Sequence, residues 1–132
     1  MLLDLITIEH AEDPTILTQP AQQVAFPLSP KIKTLIKDME ETLYHVEGVG
    51  LAAPQVRQPV KIILVHISEK AKKIREDADQ TIPMTVFINP SYEPLNSEFM
   101  RQDWEGCFSV EGTVGKVPRY LSIKFRAQDK YY

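Results

Sequence analysis

The sequence predicts an α+β fold: mostly antiparallel sheets packed around one N-terminal amphipathic helix. Three stretches predict it. Between Ser29 and Gly48, Ile32, Leu35, Ile36, Met39 and Leu43 recur at spacings of three and four, while Lys31, Lys33, Lys37, Glu40 and Glu41 fill the other side. "VKIILVHIS" (Val60 to Ser68) is β-branched and apolar, as a buried strand is. In "KVPRYLSIKFRAQ", Val117, Leu121, Ile123 and Phe125 alternate with Arg119, Ser122, Lys124 and Arg126, the period of a half-exposed strand.

The elements follow in order. Pro14, Pro20, Pro27 and Pro30 favour an extended segment over residues 11–30, lying on the surface. Ser29 suits a helix N-cap and Pro30 the first helical position, and the helix is expected to end near Gly48. A glycine-rich loop, "GVGLAAPQV", leads into the strand at Val60. "EKAKKIREDADQTIP" (Glu69 to Pro83) is mostly charged and reads as a solvated excursion between strands. "MTVFINPSYEPL" and "SEFMRQDWEG" read as two more strands, with Pro90 and Pro94 pushing the first to an edge or a bend. The stretch from Lys116 to Gln128 closes the pattern as one strand. Residues 1–132 contain no repeat or second domain, so a single domain is expected.

Composition narrows the function classes. Hydrophobic residues make up 43% and charged residues 25%, ordinary for a globular domain. The net charge of -3 supplies no electrostatic basis for sequence-specific nucleic-acid binding. No apolar run approaches the roughly eighteen residues that a membrane span needs. The opening "MLLDLITIEH" carries Asp4 and Glu9 where a secretory signal carries positive charge. One cysteine forms no internal disulfide, which fits a reducing, cytoplasmic location.

Two stretches carry chemistry. In "GVGLAAPQV" the small residues leave room for a ligand backbone, which could add as a strand through main-chain groups near Val49 and Leu51. Gln55 could then donate its amide N–H to a developing oxyanion. The competing reading is a helix C-cap, a tight turn and an exposed Gln55. Cys107 in "EGCFS" is either a small buried hydrophobe or a thiolate ligand or nucleophile. His10, His45 and His66 cannot be placed beside it by spacing.

Together the two stretches resemble the first two signature motifs of the peptide deformylases, metal hydrolases that remove the formyl group from nascent N-terminal methionine. The family pattern Gly-x-Gly-x-Ala-Ala-x-Gln is met by Gly48, Gly50, Ala52, Ala53 and Gln55. Glu-Gly-Cys-Leu-Ser is met by Glu105, Gly106, Cys107 and Ser109, with Phe108 in place of leucine. The order of elements matches as well, so the resemblance covers essentially the whole chain. It implies that Cys107 is a metal ligand, for Fe²⁺ with Zn²⁺ or Ni²⁺ able to substitute. It implies that Gln55 and the Phe108 backbone N–H stabilise an oxyanion, and that Val49, Gly50 and Leu51 hold an N-formylmethionyl nascent peptide as an added strand, with ribosome association a further implication. Val49 would also help line the methionine pocket. Glu105 and Arg119 would form an ion pair bracing the site; as plain chemistry the same two residues could be an exposed pair of little worth.

The family's third motif, His-Glu-x-x-His on a late helix, is not among these residues. That motif supplies two imidazole ligands on one helix face and a glutamate base. Without it Cys107 is one ligand where catalysis needs three. The expectation is therefore a C-terminally truncated or shortened member lacking the catalytic helix. Its activity in this form is in question, and a non-catalytic peptide-binding module is the alternative. An apolar sheet face left uncovered by that helix is a further expectation.

Overall fold

Ser29 and Pro30 start the long helix as their chemistry dictates. In the computed structural model, which describes residues 1–96 and 100–132, helix α1 runs Pro30–Val46. The Ser29 hydroxyl accepts from the Ile32 N–H at 3.2 Å. The helix ends at Val46, two residues before Gly48, close to where the sequence places its end. Glu47, not Gly48, takes the left-handed conformation at φ 53°, although glycine adopts it at less cost. Gly48 is needed for another reason, given below.

The glycine-rich stretch is not a loop. It forms a short strand β1 (Gly50–Ala52) and a 3-10 turn (Ala53–Val56). Strand β2 (Ile62–Ile67) follows, then a six-residue helix α2 (Glu69–Ile74), β3 (Ile82–Pro94), β4 (Met100–Cys107), β5 (Val110–Tyr120) and β6 (Ile123–Gln128). The start assigned to β4 by sequence, residues 97–99, lies outside the described residues. Strands β1, β2, β3 and β6 form one antiparallel sheet in the order β1-β2-β3-β6, and β4 and β5 form a separate ribbon.

The core lies between α1 and one face of the larger sheet. Alternation along β2 and β3 sends Ile62, Leu64, Val86 and Ile88 to that face, against Ile36, Met39 and Leu43 of the helix. Each fully buried side chain of this size contributes about 1.5–3 kcal/mol of hydrophobic free energy. Apolar groups elsewhere are uncovered: Trp104 and Val114 on the ribbon and Ile123 and Phe125 on β6 are exposed.

One expectation gains detail and two need correction. The charged stretch at 69–83 is a mostly exposed excursion between β2 and β3 as expected, and it contains α2, whose N-cap Ser68 accepts from the Ala71 N–H at 3.1 Å. Glu69 in its first turn and Lys72 and Lys73 in its last complement the helix dipole. The stretch 116–128 is two strands rather than one. β5 pairs with β4, the chain bends at Leu121 and Ser122, and β6 pairs with β3. Part of the N-terminal segment is a 3-10 turn, Pro14–Leu17, capped by Asp13.

Pro90 does produce a bend, and β3 is interior rather than an edge. Register shifts between Ile88 and Ser91, so β3 leaves β2 and takes up β6 there. Asn89 holds that bulge at φ 53°. Its Oδ1 accepts from the Val24 N–H at 2.7 Å, and its Nδ2 donates to the Val24 carbonyl at 2.9 Å and to Gln128 Oε1 at 2.7 Å. Asn89→Ala therefore loses three hydrogen bonds and puts a Cβ-bearing residue without a side-chain acceptor at positive φ. The expected loss is about 2 kcal/mol of unfolding free energy in a urea titration.

Candidate active site

The sheet edge at β1 is open on one side, and hydrogen-bond alternation decides which backbone groups face it. The Val49 carbonyl accepts from the His66 N–H at 2.9 Å, and Gly50 sits opposite Val65. Successive residues of an antiparallel strand turn their N–H and C=O alternately toward and away from the partner. Val49 and Leu51 thus turn toward β2, and Gly50 and Ala52 turn outward. The Ala52 N–H is used locally, donating to Gln55 Oε1 at 2.9 Å. Gly50 is the residue of β1 whose main-chain groups are presented at the open edge. Its φ lies outside the left-handed region, and a Cβ there would meet only an ordinary contact, 3.6 Å from the Leu64 carbonyl oxygen.

That same Ala52 bond orients the Gln55 amide. With Oε1 taken, Nε2 faces the ribbon, where it lies 3.5 Å from Cys107 Sγ and donates to Ser109 Oγ at 3.3 Å. Cys107 ends β4 and is exposed rather than buried as a small hydrophobe. The amide and the thiol, 52 residues apart in sequence, converge on one cleft of 790 Å³. Val49, Gly50 and Phe108 also line it, as does Ile74 of α2. Leu51 points into the core and is 3% exposed.

Contacts that sequence reasoning overlooked hold the two halves together. The Ile6 N–H donates to the Gln55 carbonyl and the Ile8 N–H to the Ser109 carbonyl, each at 2.9 Å. Alternate amides of one extended N-terminal segment thus tie the turn bearing Gln55 to the turn after Cys107. Ser109 is 4% exposed, a buried hydroxyl serving Gln55. Gly48 completes the junction. The Phe108 ring lies so close that a Cβ at Gly48 would be 2.6 Å from its Cε2 and 3.1 Å from Leu43 Cδ1. Gly48 has no positive φ, so the need is for space.

Glu105 and Arg119 meet in a two-pronged ion pair. Arg119 Nε donates to Glu105 Oε2 at 2.9 Å and Nη2 to Oε1 at 2.7 Å. The guanidinium hydrogen bonds hold the Glu105 carboxyl below the usual glutamate range and push Arg119 upward. Solvent reaches both side chains, so the pair fixes geometry more than it adds stability. A depressed folded-state value means that the pair's contribution is present above the unfolded glutamate pKa, about 4.3, and is lost as pH falls through the lower folded value. Amide exchange at Cys107 should therefore accelerate below about pH 4.3 beyond the intrinsic trend. Glu105→Gln should lack that step.

Among the described residues no histidine lines the cleft. His66 packs edge-on against Tyr44 with ring centroids 5.0 Å apart, and His45 is exposed on α1. Among the described residues no group of three or more His, Cys, Asp or Glu side chains could hold a metal ion. Cys107 is the one thiolate donor at the site, and a hydrolytic metal centre takes three protein ligands. The described residues do not meet that requirement.

An open β-edge and a side-chain amide facing a thiol across one cleft define the class: an α+β protein whose candidate site lies between a sheet edge and a separate ribbon. A family model described as polypeptide deformylase matches residues 5–132, and the chain belongs to that family. It is 38% identical over 117 residues to peptide deformylase 1 of Nitrosomonas europaea, covering 89% of this chain and 64% of that protein. It is likewise 38% identical over 130 residues to peptide deformylase 2 of Rickettsia conorii, covering 96% of this chain and 63% of the relative. The chain thus spans less than two thirds of the length of these relatives. Among solved structures, the Met-Ala-Ser-bound class I type b peptide deformylase of Acinetobacter baumannii superimposes with TM-score 0.78 at 26% identity, covering 98% of this chain and 79% of that one. A probable peptide deformylase from Synechococcus phage S-SSM7 gives TM-score 0.74 at 29% identity, covering 98% and 78%.

Proposed function

We propose that these residues form the peptide-docking and oxyanion-stabilising half of a peptide deformylase site, acting on N-formylmethionyl peptides. The observation that carries this reading is the Gln55 Nε2 group 3.5 Å from Cys107 Sγ beside an open β-edge. A formyl oxygen placed between Gln55 and the Phe108 backbone N–H receives two donors, the arrangement that stabilises a tetrahedral oxyanion. Gly50 offers its N–H and C=O to the peptide as an added strand, and Val49 borders the methionine side chain. Glu105 and Arg119 brace the strand end that carries Cys107.

Membership in a family of metal hydrolases supports Cys107 as a thiolate ligand for Fe²⁺, with Zn²⁺ or Ni²⁺ as substitutes. When bound, such an ion would supply Lewis acidity and an activated water. Among the described residues no group of three or more His, Cys, Asp or Glu side chains completes that ligand set. A substrate that exists while a chain is being made fits a cytoplasmic site of action near the ribosome. No helix of the described residues is long and apolar enough to cross a membrane.

A second reading is a non-catalytic peptide-binding module that uses the open β-edge at Gly50. Calorimetric titration of formyl-Met-Ala-Ser, with and without a chelator, separates the two, together with formate release on addition of Fe²⁺. The catalytic reading expects formate and chelator-sensitive binding. The module expects unchanged affinity under chelation and no formate. Failure of both formylated and unformylated peptides to bind overturns both readings.

A further inference from the structure

Along the N-terminal half of α1, Lys33, Ile36, Lys37 and Glu40 recur at helical spacing and share one face. A cavity of 380 Å³ opens over that face and shares no lining residue with the cleft that holds Gln55 and Cys107. Its volume falls within the roughly 300–1,000 Å³ of small-molecule sites. Leu28 and Ile36, 8% and 3% exposed, form an apolar floor. Tyr131 forms the outer wall, and the residues on either side of it are anchored. Lys130 Nζ donates to Glu40 Oε1 at 3.3 Å, and the Tyr132 ring packs edge-on against Phe26 with centroids 5.4 Å apart.

The charge around this cavity is unbalanced. Among the described residues Glu40 is the one acid that lines it, and Lys130 neutralises it. Lys33 and Lys37 line it too, and neither has a carboxylate partner among the described residues. The first turn of α1 holds Lys31 and Lys33 and no acidic residue, so the positive end of the helix dipole adds to their charge. We propose that the cavity binds a small amphipathic carboxylate, with the anion between Lys33 and Lys37 and the apolar body against Leu28, Ile36 and the Tyr131 ring. Side chains four residues apart on one helix face are neighbours, so both ammonium groups can donate to a single carboxylate. A cationic amphiphile would meet two like charges, and a neutral one would leave both ammonium groups unpaired. This site is independent of the peptide-docking reading.

Calorimetric titration of the intact chain with octanoate, below its micellar concentration, tests the proposal. Octanoate should saturate one site, and hexanoate should bind more weakly, by up to about fourfold for each methylene lost. Octylammonium should not bind. Lys33→Gln/Lys37→Gln removes both charges while glutamine keeps a helix propensity close to that of lysine. With its folding verified by a thermal melt, this variant should bind octanoate about tenfold more weakly, the scale of two exposed charge contacts. The charge-matched Lys31→Gln/Lys72→Gln variant, altered outside the cavity, should bind as the wild type does. Absence of octanoate binding overturns the proposal. So does equal binding of octylammonium, undiminished affinity in Lys33→Gln/Lys37→Gln, or an equal loss in Lys31→Gln/Lys72→Gln.

Discussion

Gln55→Leu should abolish the preference for formylated over unformylated methionyl peptide, a ground-state effect of up to about tenfold for one lost hydrogen bond. In any Fe²⁺-supplied preparation that releases formate, it should lower kcat by about 10²–10³-fold, the usual cost of removing one oxyanion donor. The larger figure applies to turnover because the proposed role aims the donor at charge that develops only in the transition state. Leucine also deprives the Ala52 N–H of its acceptor, so a second variant is needed to separate the donor from the local turn. Gln55→Glu retains an oxygen for Ala52 while its carboxylate offers no N–H. Equal loss of kcat in both variants, with near-normal thermal stability in Gln55→Glu, assigns the effect to the donor. Near-normal turnover in Gln55→Glu would refute it.

Gly48→Ala should cost about 1 kcal/mol of stability, the low end for overpacking because the Phe108 ring is 41% exposed and can shift, and should weaken peptide binding as well. Carbon atoms pack at about 3.5–4.0 Å, and the added methyl would sit 2.6 and 2.9 Å from two ring carbons of Phe108. Leu43 is fully buried and cannot yield. Phe108 lies at the turn after Cys107, so displacing its ring shifts the thiol relative to Gln55. The reciprocal change supplies the control. Phe108→Ala removes the ring, and the Gly48→Ala/Phe108→Ala double variant should recover most of the loss caused by Gly48→Ala alone. Additivity of the two changes in a chemical-denaturation cycle would show that ring and glycine are not coupled.

Much of this protein was legible because local chemistry and global packing agree. Ser29, Pro30 and the three-four spacing of Ile36, Met39 and Leu43 specify α1 wherever it packs, since each residue satisfies the helix on its own terms. The runs at 62–67 and 82–94 likewise specify strands, and the two short motifs around Gln55 and Cys107 marked the family. Tertiary structure alone decided the rest, because those outcomes depend on residues remote in sequence. Whether Pro90 made an edge or a bulge turned on Asn89 reaching Val24 and Gln128. Which main-chain groups of β1 remain open followed from its register against β2, and a one-residue slip would have exchanged Gly50 for Val49 and Leu51. The orientation of the Gln55 amide came from Ala52 and Ser109, and the value of Gly48 from a ring sixty residues away. Helical and strand periodicities are written within a few turns of chain; hydrogen-bond partners and close contacts between distant segments arise only when the chain has closed on itself.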